Sequence, residues 1–485
     1  VRAEIDELPF RNLGDLVSHT ASVYGEAAAF TVCLPNGMNG TLSFRQVDEM
    51  STALAAYLRE VAGLQQGDRV ALQAPNGLPF PVVAFGVFKA GCVLVNVNPL
   101  YTAEEMAKQF ADSKPSALVI VDMFADKLPE ALKGHHIPTV IVTRVAEFMP
   151  SLPKMIVGAV QKYWDKTIHP VDVAHIRLPD ALAAGAARRD EGKIGAGSYT
   201  TSVDPDDIAC LQYTGGTTGV SKGATLTNAN VLSNVAQNDL WLPAAFIKKQ
   251  KPDVLLYVCA LPLYHIFALT VNALMGMSQG AHNLLIPNPR DIPGFVKELG
   301  KYEFHVFPGL NTLFNALLNN EDFQKLNFKP LLLSLGGGMA VQRPVADRWK
   351  QLTGCVISEG YGLSETAPYP ERKAEKPDSD IDRAAMLAEW SELKDPHDFR
   401  KVLSNHGVGR HQAMRLAEGR FTERAPISAM SDVLQSAASR KIPIMVFVAN
   451  RGCIQIHSGM VKNIKKMGDW LNVLDPEFNL HLRED

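Results

Sequence analysis

The sequence predicts an α/β protein whose parallel sheets are covered by helices, followed by a smaller α+β unit built on an antiparallel sheet. Three observations carry this expectation. Short β-branched runs alternate with helical stretches from about residue 69 to residue 358, the pattern of parallel strands joined by crossover helices. A glycine- and threonine-rich run, Tyr213–Gly223, follows a strand-like segment within that series. Near residue 370 the texture changes, first to dense charge and then to strand-like alternation about a tight turn.

In order along the chain, Arg69–Gln73 reads as a strand and is followed by an apolar helix to Ala90. Cys92–Val97 is the next strand, and Thr102 with Glu105 forms a capping box that opens a helix. Ala117–Val121 and Thr139–Thr143 complete the first series. Residues 152–168 place Met155, Ile156, Val160, Tyr163 and Trp164 among Lys154, Lys162 and Lys166. They read as a surface helix docked on the domain, or as a shallow contact with anionic lipid. Downstream, Val254–Cys259, Asn283–Ile286, Phe304–Phe307, Leu331–Leu335 and Cys355–Ser358 are strand candidates, with helices such as Pro293–Leu299 and Val341–Leu352 between them. Glu371–Arg383 reads as a linker or solvated helix and Ala384–Val402 as a helix. Ile444–Val448 and Cys453–His457 alternate around Asn450-Arg451-Gly452, a hairpin signal. Leu471–Leu474 and Phe478–Leu482 are further strand candidates.

The chain has 485 residues, 46% hydrophobic and 20% charged, with net charge −3. That composition is globular and gives no electrostatic footprint for nucleic acid. The six cysteines are scattered with no C-x-x-C pair, which fits a reducing cytosol and no disulfide or zinc framework. There is no signal segment and no apolar run long enough to span a bilayer. The chain begins with Val, so a fragment or processed product is expected.

Ile208–Tyr213 reads as a strand leading into the glycine-rich loop, with a helix from about Asn230. Gly215, Gly216 and Gly219 let backbone amides approach an anion, and successive amides make a phosphate-binding concavity. Thr214, Thr217 and Thr218 add hydroxyls, and Lys222 a mobile charge. It is not a Walker loop, because Val220 and Ser221 separate Gly219 from Lys222. The alternative is a glycine-rich surface turn.

This loop, YTGGTTGVSKG, resembles the signature of the adenylate-forming ligases, which activate carboxylic acids with ATP. GDRVALQAPN (Gly67–Asn76), VNVNPLYT (Val95–Thr102), LPLYHIFALT (Leu261–Thr270), PNPRDIP (Pro287–Pro293), LNTLFNALLNN (Leu310–Asn320), SLGGGM (Ser334–Met339) and EGYGLSET (Glu359–Thr366) resemble bacterial long-chain fatty-acid–CoA ligases. The resemblance covers residues 5–368 and implies the N-terminal domain of that fold. It implies that Thr214–Gly219 and Lys222 hold the β- and γ-phosphates. Gly336, Gly337 and Gly338 would let adenine lie against backbone, with Tyr361 and Gly362 flanking the base. Glu365 with Thr214 would hold Mg²⁺, and His265 would line the passage to the acyl and CoA sites. His265 has a structural alternative, as an ordinary histidine among apolar residues. The run Ile266–Met277 is expected to be core, with some positions walling the acyl tunnel. Two departures stand out: Ser364 where Thr is usual, and Asn228 where His is common.

After residue 370 the ligase pattern should supply a Thr-Gly-Asp segment for ribose, a basic hinge and a lid lysine; residues 371–485 contain none of these. The ligase unit, residues 1–370, is therefore expected to be truncated. PIMVFVANRGCIQIHSG (Pro443–Gly459), WLNVLDPEFNLHLRED (Trp470–Asp485) and WSELKDPHDF (Trp390–Phe399) instead resemble the second repeat of hemin-degrading or hemin-transport proteins, over residues 384–485. That resemblance implies His397 as a haem-iron ligand, in a domain spanning 371–485 that is also incomplete and expects exposed sheet edges. The expected function is ATP-dependent activation of a long-chain fatty acid to acyl-adenylate and acyl-CoA, impaired by the missing lid. The alternatives are a haem-binding, haem-degrading or haem-transfer protein, and a chimera with neither activity. Expected ligands are fatty acid, ATP, CoA, Mg²⁺ and haem, with a cytoplasmic location and peripheral contact at the inner membrane.

Overall fold

The computed structural model describes residues 8–34, 37–192, 194–195, 197–214, 222–242, 246, 251–361, 364, 444–448 and 452–456. In chain order the strands are β1 (Ala28–Cys33), β2 (Asn39–Ser43), β3 (Arg69–Gln73), β4 (Val93–Asn96), β5 (Ala117–Val121) and β6 (Thr139–Thr143). Next come β7 (Ile176–Arg177), β8 (Ile208–Thr214), β9 (Lys222–Thr227), β10 (Leu256–Cys259) and β11 (His282–Leu285). The last are β12 (Val306–Gly309), β13 (Leu333–Gly336), β14 (Ile357–Tyr361), β15 (Ile444–Val448) and β16 (Gly452–Ile456).

Two sheets result. One has seven strands in the order β7-β6-β5-β3-β4-β8-β9, the other nine in the order β16-β15-β14-β13-β12-β10-β11-β1-β2. The inner strands of both run parallel, with antiparallel pairs at β8–β9, β1–β2 and β15–β16. The parallel strands read as unbroken apolar runs because helices cover both faces. Ala117–Val121 and Val93–Asn96 are buried at every position.

Local signals set the element ends. The capping box of Thr102 and Glu105 opens the helix Ala103–Ser113, and an equivalent pair, Ser43 and Gln46, opens Phe44–Ala56. The helix Leu178–Gly192 packs on Phe44–Ala56 so closely that a Cβ on Gly185 would sit 1.9 Å from the Ala53 carbonyl oxygen. Under the nine-stranded sheet, Phe314, Phe323 and Phe307 pack about Trp349, whose indole N–H donates to Ser334 Oγ at 3.0 Å. Cys33, Cys92, Cys210, Cys259 and Cys355 are buried free thiols.

Three findings correct the sequence reading. The hairpin β1–β2 has no place in the expected alternation, because it is an antiparallel addition beside β11. The segment after the glycine-rich run is a strand, β9, before the helix Asn228–Trp241 begins. It lies at a sheet edge, with Lys222 and Thr225 exposed and Leu226 buried. The tail hairpin exists, with Val448 opposite Gly452, and it extends the nine-stranded sheet by pairing parallel to β14, Glu359 opposite Ile444. The other tail elements expected from sequence, including Ala384–Val402 and His397, lie outside the described residues.

Candidate active site

Ligands in open α/β sheets collect where parallel strands end at their carboxyl side. Here those ends carry the glycine-rich run after β8, the segment after β10, and the turns after β12, β13 and β14. The run after β8 joins two paired strands. Thr214 pairs with Lys222 and Tyr213 with Gly223. Residues 215–221, with Gly215, Gly216, Thr217, Thr218 and Gly219, lie outside the described residues. Their two ends are nonetheless held at strand separation. A Cβ on Gly223 would meet the Tyr213 ring at 3.0 Å, so a larger residue there would press on that ring. The Tyr213 hydroxyl donates to Asp112, and burial together with that carboxylate raises its pKa. Lys222 is exposed at the end of the hairpin.

Two residues before Thr214, buried Gln212 donates through Nε2 to the Tyr264 carbonyl at 3.0 Å and accepts from Asn96 Nδ2 at 3.0 Å. This ties β8, which leads into the glycine-rich run, to the segment that follows β10 in the other sheet. Asn76 makes the second tie. Its Nδ2 donates to the carbonyls of Cys259 and Leu261, both at 2.9 Å, and its Oδ1 accepts from Leu263 N–H at 2.8 Å. The segment is an irregular connection with no ladder of its own, so a buried amide satisfies its backbone groups. His265 follows, its N–H bonded to the Pro262 carbonyl, just before the helical turn Ile266–Ala268. The residue is exposed, yet desolvation by surrounding protein lowers its pKa and favours neutral imidazole. The following residues Ala268–Met277 are buried, as a core or tunnel wall requires.

Phe267 carries the contact onward to the glycine turn. A Cβ on Gly337 would lie 2.9 Å from its ring, and Gly337 N–H bonds to the Gly309 carbonyl at the end of β12. Gly336 would collide with Val341 and Ile357 side chains at 2.6 and 2.9 Å. Gly338 has φ +74°, a left-handed conformation that glycine adopts without penalty, and it stands exposed. The turn is fixed from behind by buried Glu359, whose Oε2 accepts from Val341 N–H at 3.0 Å. Tyr361 ends β14. Gly362 and Glu365 lie outside the described residues.

The structure thus brings the ends of the loop, His265 and the three glycines onto one chain of contacts, Gln212–Tyr264, His265, Phe267–Gly337. Sequence reading named the loop, His265 and the glycines. It missed Gln212, Phe267 and Glu359 as their supports, and it quoted Asn76 without a role. A glutamine inside an otherwise apolar strand was the available signal. Asn228, where histidine is common, fastens two backbone segments. Its Oδ1 accepts from Leu13 N–H at 3.0 Å and its Nδ2 donates to the Asp207 carbonyl at 3.1 Å. A shallow depression lined by Gln324, Asn327, Lys329 and Gly354 lies at the amino side of β13 and β14, away from this region. Among the described residues no three His, Cys, Asp or Glu side chains gather as a metal site.

The family model described as AMP-binding enzyme matches residues 17–385, and that of the haemin-degrading HemS.ChuX domain matches 407–485. A long-chain-fatty-acid–CoA ligase of Salmonella typhimurium is 46% identical over 369 residues, covering 76% of this chain and 63% of the relative. One from Yersinia pestis is 45% identical over 372 residues, with the same shares, and one from Bacillus subtilis 27% identical over 412, covering 82% and 69%. This chain spans 63% of the length of the enterobacterial relatives it matches. Among solved structures, an anthranilate CoA ligase bound to anthranoyl-AMP aligns with TM-score 0.59 at 20% identity, covering 74% of this chain and 61% of that one. A long-chain-fatty-acid-CoA ligase from Archaeoglobus fulgidus aligns with TM-score 0.58 at 19% identity, covering 74% and 66%. These two show the shared fold. With residues 17–385 matched, the chain belongs to the AMP-binding enzyme family.

Proposed function

We propose that residues 1–370 bind ATP and a long-chain fatty acid and join them as an acyl-adenylate. The observation that supports this most is the bridge from β8, which leads into the glycine-rich run, through Tyr264 and Phe267 to Gly337 in the turn after β13. In this reading Thr214, Gly215, Gly216, Thr217, Thr218, Gly219 and Lys222 hold the β- and γ-phosphates. Gly336, Gly337 and Gly338 receive the adenine, flanked by Tyr361 and Gly362. His265, neutral near pH 7 because protein surrounds it, faces the acyl passage without adding charge.

A carboxylate oxygen of the fatty acid attacks the α-phosphorus, and the bond to pyrophosphate breaks. CoA thiolate then attacks the acyl carbonyl carbon, forming a C–S bond as AMP leaves. The chain's part is positioning and neutralisation of charge, since neither step needs a covalent enzyme intermediate. Magnesium suits the donor set, because that ion takes one or two protein oxygens plus substrate phosphates rather than a full protein cage. Thr214 and Glu365 would supply those oxygens.

Residues 371–485 hold no counterpart of the family's ribose aspartate or lid lysine, so for these 485 residues assayed by themselves we expect nucleotide binding with slow turnover. The test is equilibrium ATP binding and fatty-acid-dependent ATP–pyrophosphate exchange. Lys222→Ala should weaken ATP binding about ten-fold or more, the order of a lost charge-assisted contact. Absence of ATP binding would sink the proposal; acyl-CoA synthesis at ordinary ligase rates would sink the impairment. Peripheral contact with the inner membrane belongs to the same proposal, because the substrate's acyl chain partitions into bilayers.

A second reading concerns residues 371–485. The haemin-degrading match at 407–485 favours haem binding in this region; His397, the axial ligand of this reading, precedes the matched residues and rests on the sequence resemblance. Hemin titration should give a Soret shift that His397→Ala removes; no shift, or one unchanged in the variant, ends that reading.

A further inference from the structure

The helix Ser151–Ala159 and the π-helical turn Val160–Trp164 that continues it form an outlying rod whose apolar side faces away from the protein. Leu152, Met155, Ile156, Val160, Tyr163 and Trp164 are all exposed, at 62, 65, 39, 42, 72 and 87%. They recur at three- and four-residue spacing, so they form one stripe. Such a stripe normally faces a core. Here the only apolar residue of the helix that is buried is Val157, on the other side. Only six other large apolar residues, scattered from Val23 to Met339, are exposed among the described residues. A contiguous apolar surface of this kind marks a contact surface.

The rod is held firmly in this orientation. Lys154 pairs with buried Glu147, which also meets Arg177 at 3.6 Å, and Met149 packs against Gly40, where a Cβ would lie 3.0 Å away. At its far end Lys166 adopts φ +51°, and Asp165 N–H closes the π turn on the Val160 carbonyl. The stripe is thus displayed by anchored backbone.

Charge identifies the occupant. With Lys154 paired to Glu147, Lys162 and Lys166 stand against one acid, Asp165, in a chain whose net charge is −3. Lys162 Nζ lies 5.3 Å from the Tyr163 ring centroid, a cation whose stem can cover apolar surface while its head reaches outward. Tyrosine and tryptophan at the end of an amphipathic helix with flanking lysines suit a bilayer interface carrying anionic headgroups. A second copy of the chain is the poorer fit. The six exposed side chains offer an area of the order that one partner of a stable interface needs, but a two-fold pairing would bring Lys162 and Lys166 of both copies to one contact, where like charges repel.

We propose that residues 151–166 dock on an anionic lipid surface, with Met155, Ile156, Tyr163 and Trp164 entering the interface and Lys162 and Lys166 meeting the headgroups. This rests on the proposed peripheral membrane contact and gives it a place on the molecule. The test is flotation of the full chain with phosphatidylglycerol vesicles and with phosphatidylcholine vesicles, at low and physiological salt, without ATP or fatty acid. The wild-type protein should bind the anionic vesicles and lose binding as salt rises. Tyr163→Ser/Trp164→Ser and Lys162→Glu/Lys166→Glu should each bind at least ten-fold more weakly while keeping the wild-type unfolding midpoint and ATP affinity. If the wild type floats and both variants float equally well, the membrane contact stands and this helix is not its site. If the wild type does not float, both ideas fail. A concentration-dependent dimer that Trp164→Ser dissociates would assign the stripe to a second copy and overturn the lipid proposal.

Discussion

Asn76→Ala should be among the most damaging single polar substitutions in the chain, and the reason can be worked bond by bond. The side chain is 4% exposed and makes three hydrogen bonds of 2.8 to 2.9 Å, to Cys259 O, Leu261 O and Leu263 N–H. A typical hydrogen bond contributes about 1 kcal/mol net, while a buried group left unpaired costs about 1–3 kcal/mol. Three bonds therefore set a floor of about 3 kcal/mol. Water entering the space left by the amide would rehydrate some groups, which brings the upper end to about 6 kcal/mol. Urea unfolding monitored by Trp fluorescence should show this as a lower midpoint at unchanged slope. Hydrogen exchange at the Leu263 amide should accelerate with it. The damage should reach function, because the same segment carries Tyr264, His265 and Phe267 toward the glycine turn. A loss under about 1 kcal/mol, or an unchanged Leu263 amide, would refute the claim that Asn76 fastens the two sheets at the site.

Three further outcomes follow. Gly337→Ala places a methyl 2.9 Å from the Phe267 ring, so it should cost about 1–3 kcal/mol by overpacking and weaken ATP binding; adding Phe267→Leu should recover much of both. Gly185→Ala meets backbone, the Ala53 oxygen at 1.9 Å. It should lower stability by about 3 kcal/mol despite the helix propensity gained, and a stabilised variant would disprove the close helix packing. Stability between pH 4 and 6.5 should carry two opposing slopes, read from urea midpoints. Burial lowers the His282 pKa from 6.5 to about 4, so its neutral form favours the fold fully above pH 6.5 and that contribution fades as pH falls toward 4. Burial raises the Asp239 pKa from 3.8 to about 6, so its contribution is present below pH 3.8 and is lost as pH rises through 6. Each is at most about 3 kcal/mol; His282→Gln should remove the first slope and Asp239→Asn the second.

The first sheet was legible where sequence rules are local. Arg69–Gln73, Ala117–Val121 and Thr139–Thr143 match observed strands residue for residue, and Thr102 with Glu105 caps its helix as expected. In the second sheet the parallel strands β10 to β14 were found with displaced ends, for example a start at Val254 against Leu256. The chain enters those strands through apolar connections that composition does not separate from the strand. Ala28–Cys33 and Asn39–Ser43 were missed although Asn36-Gly37 between them is a turn signal, because a hairpin ahead of the parallel series lies outside strand-helix alternation. For the site, the glycines announced themselves but their causes did not. Gly337 is required by Phe267, seventy positions earlier, and Gly336 by Val341 and Ile357. Only the fold brings those side chains together.

The strand β9 has an electrical consequence. In nucleotide sites where a helix follows the glycine loop, the helix's positive end lies against the phosphates. Here the helix Asn228–Trp241 starts after β9, and Thr227, its N-cap, pairs with Ile208 at the opposite end of the hairpin from Thr214 and Lys222. Five strand steps separate that helix end from the loop, about 17 Å, roughly two screening lengths at physiological ionic strength. Its half-charge is thus too remote to steady a polyphosphate. In the proposed site, compensation would then fall to the loop's own amides, Lys222 and a metal ion. Nucleotide affinity in this protein should therefore fall more steeply with added salt, and with loss of that one lysine, than in proteins whose helix provides part of the field.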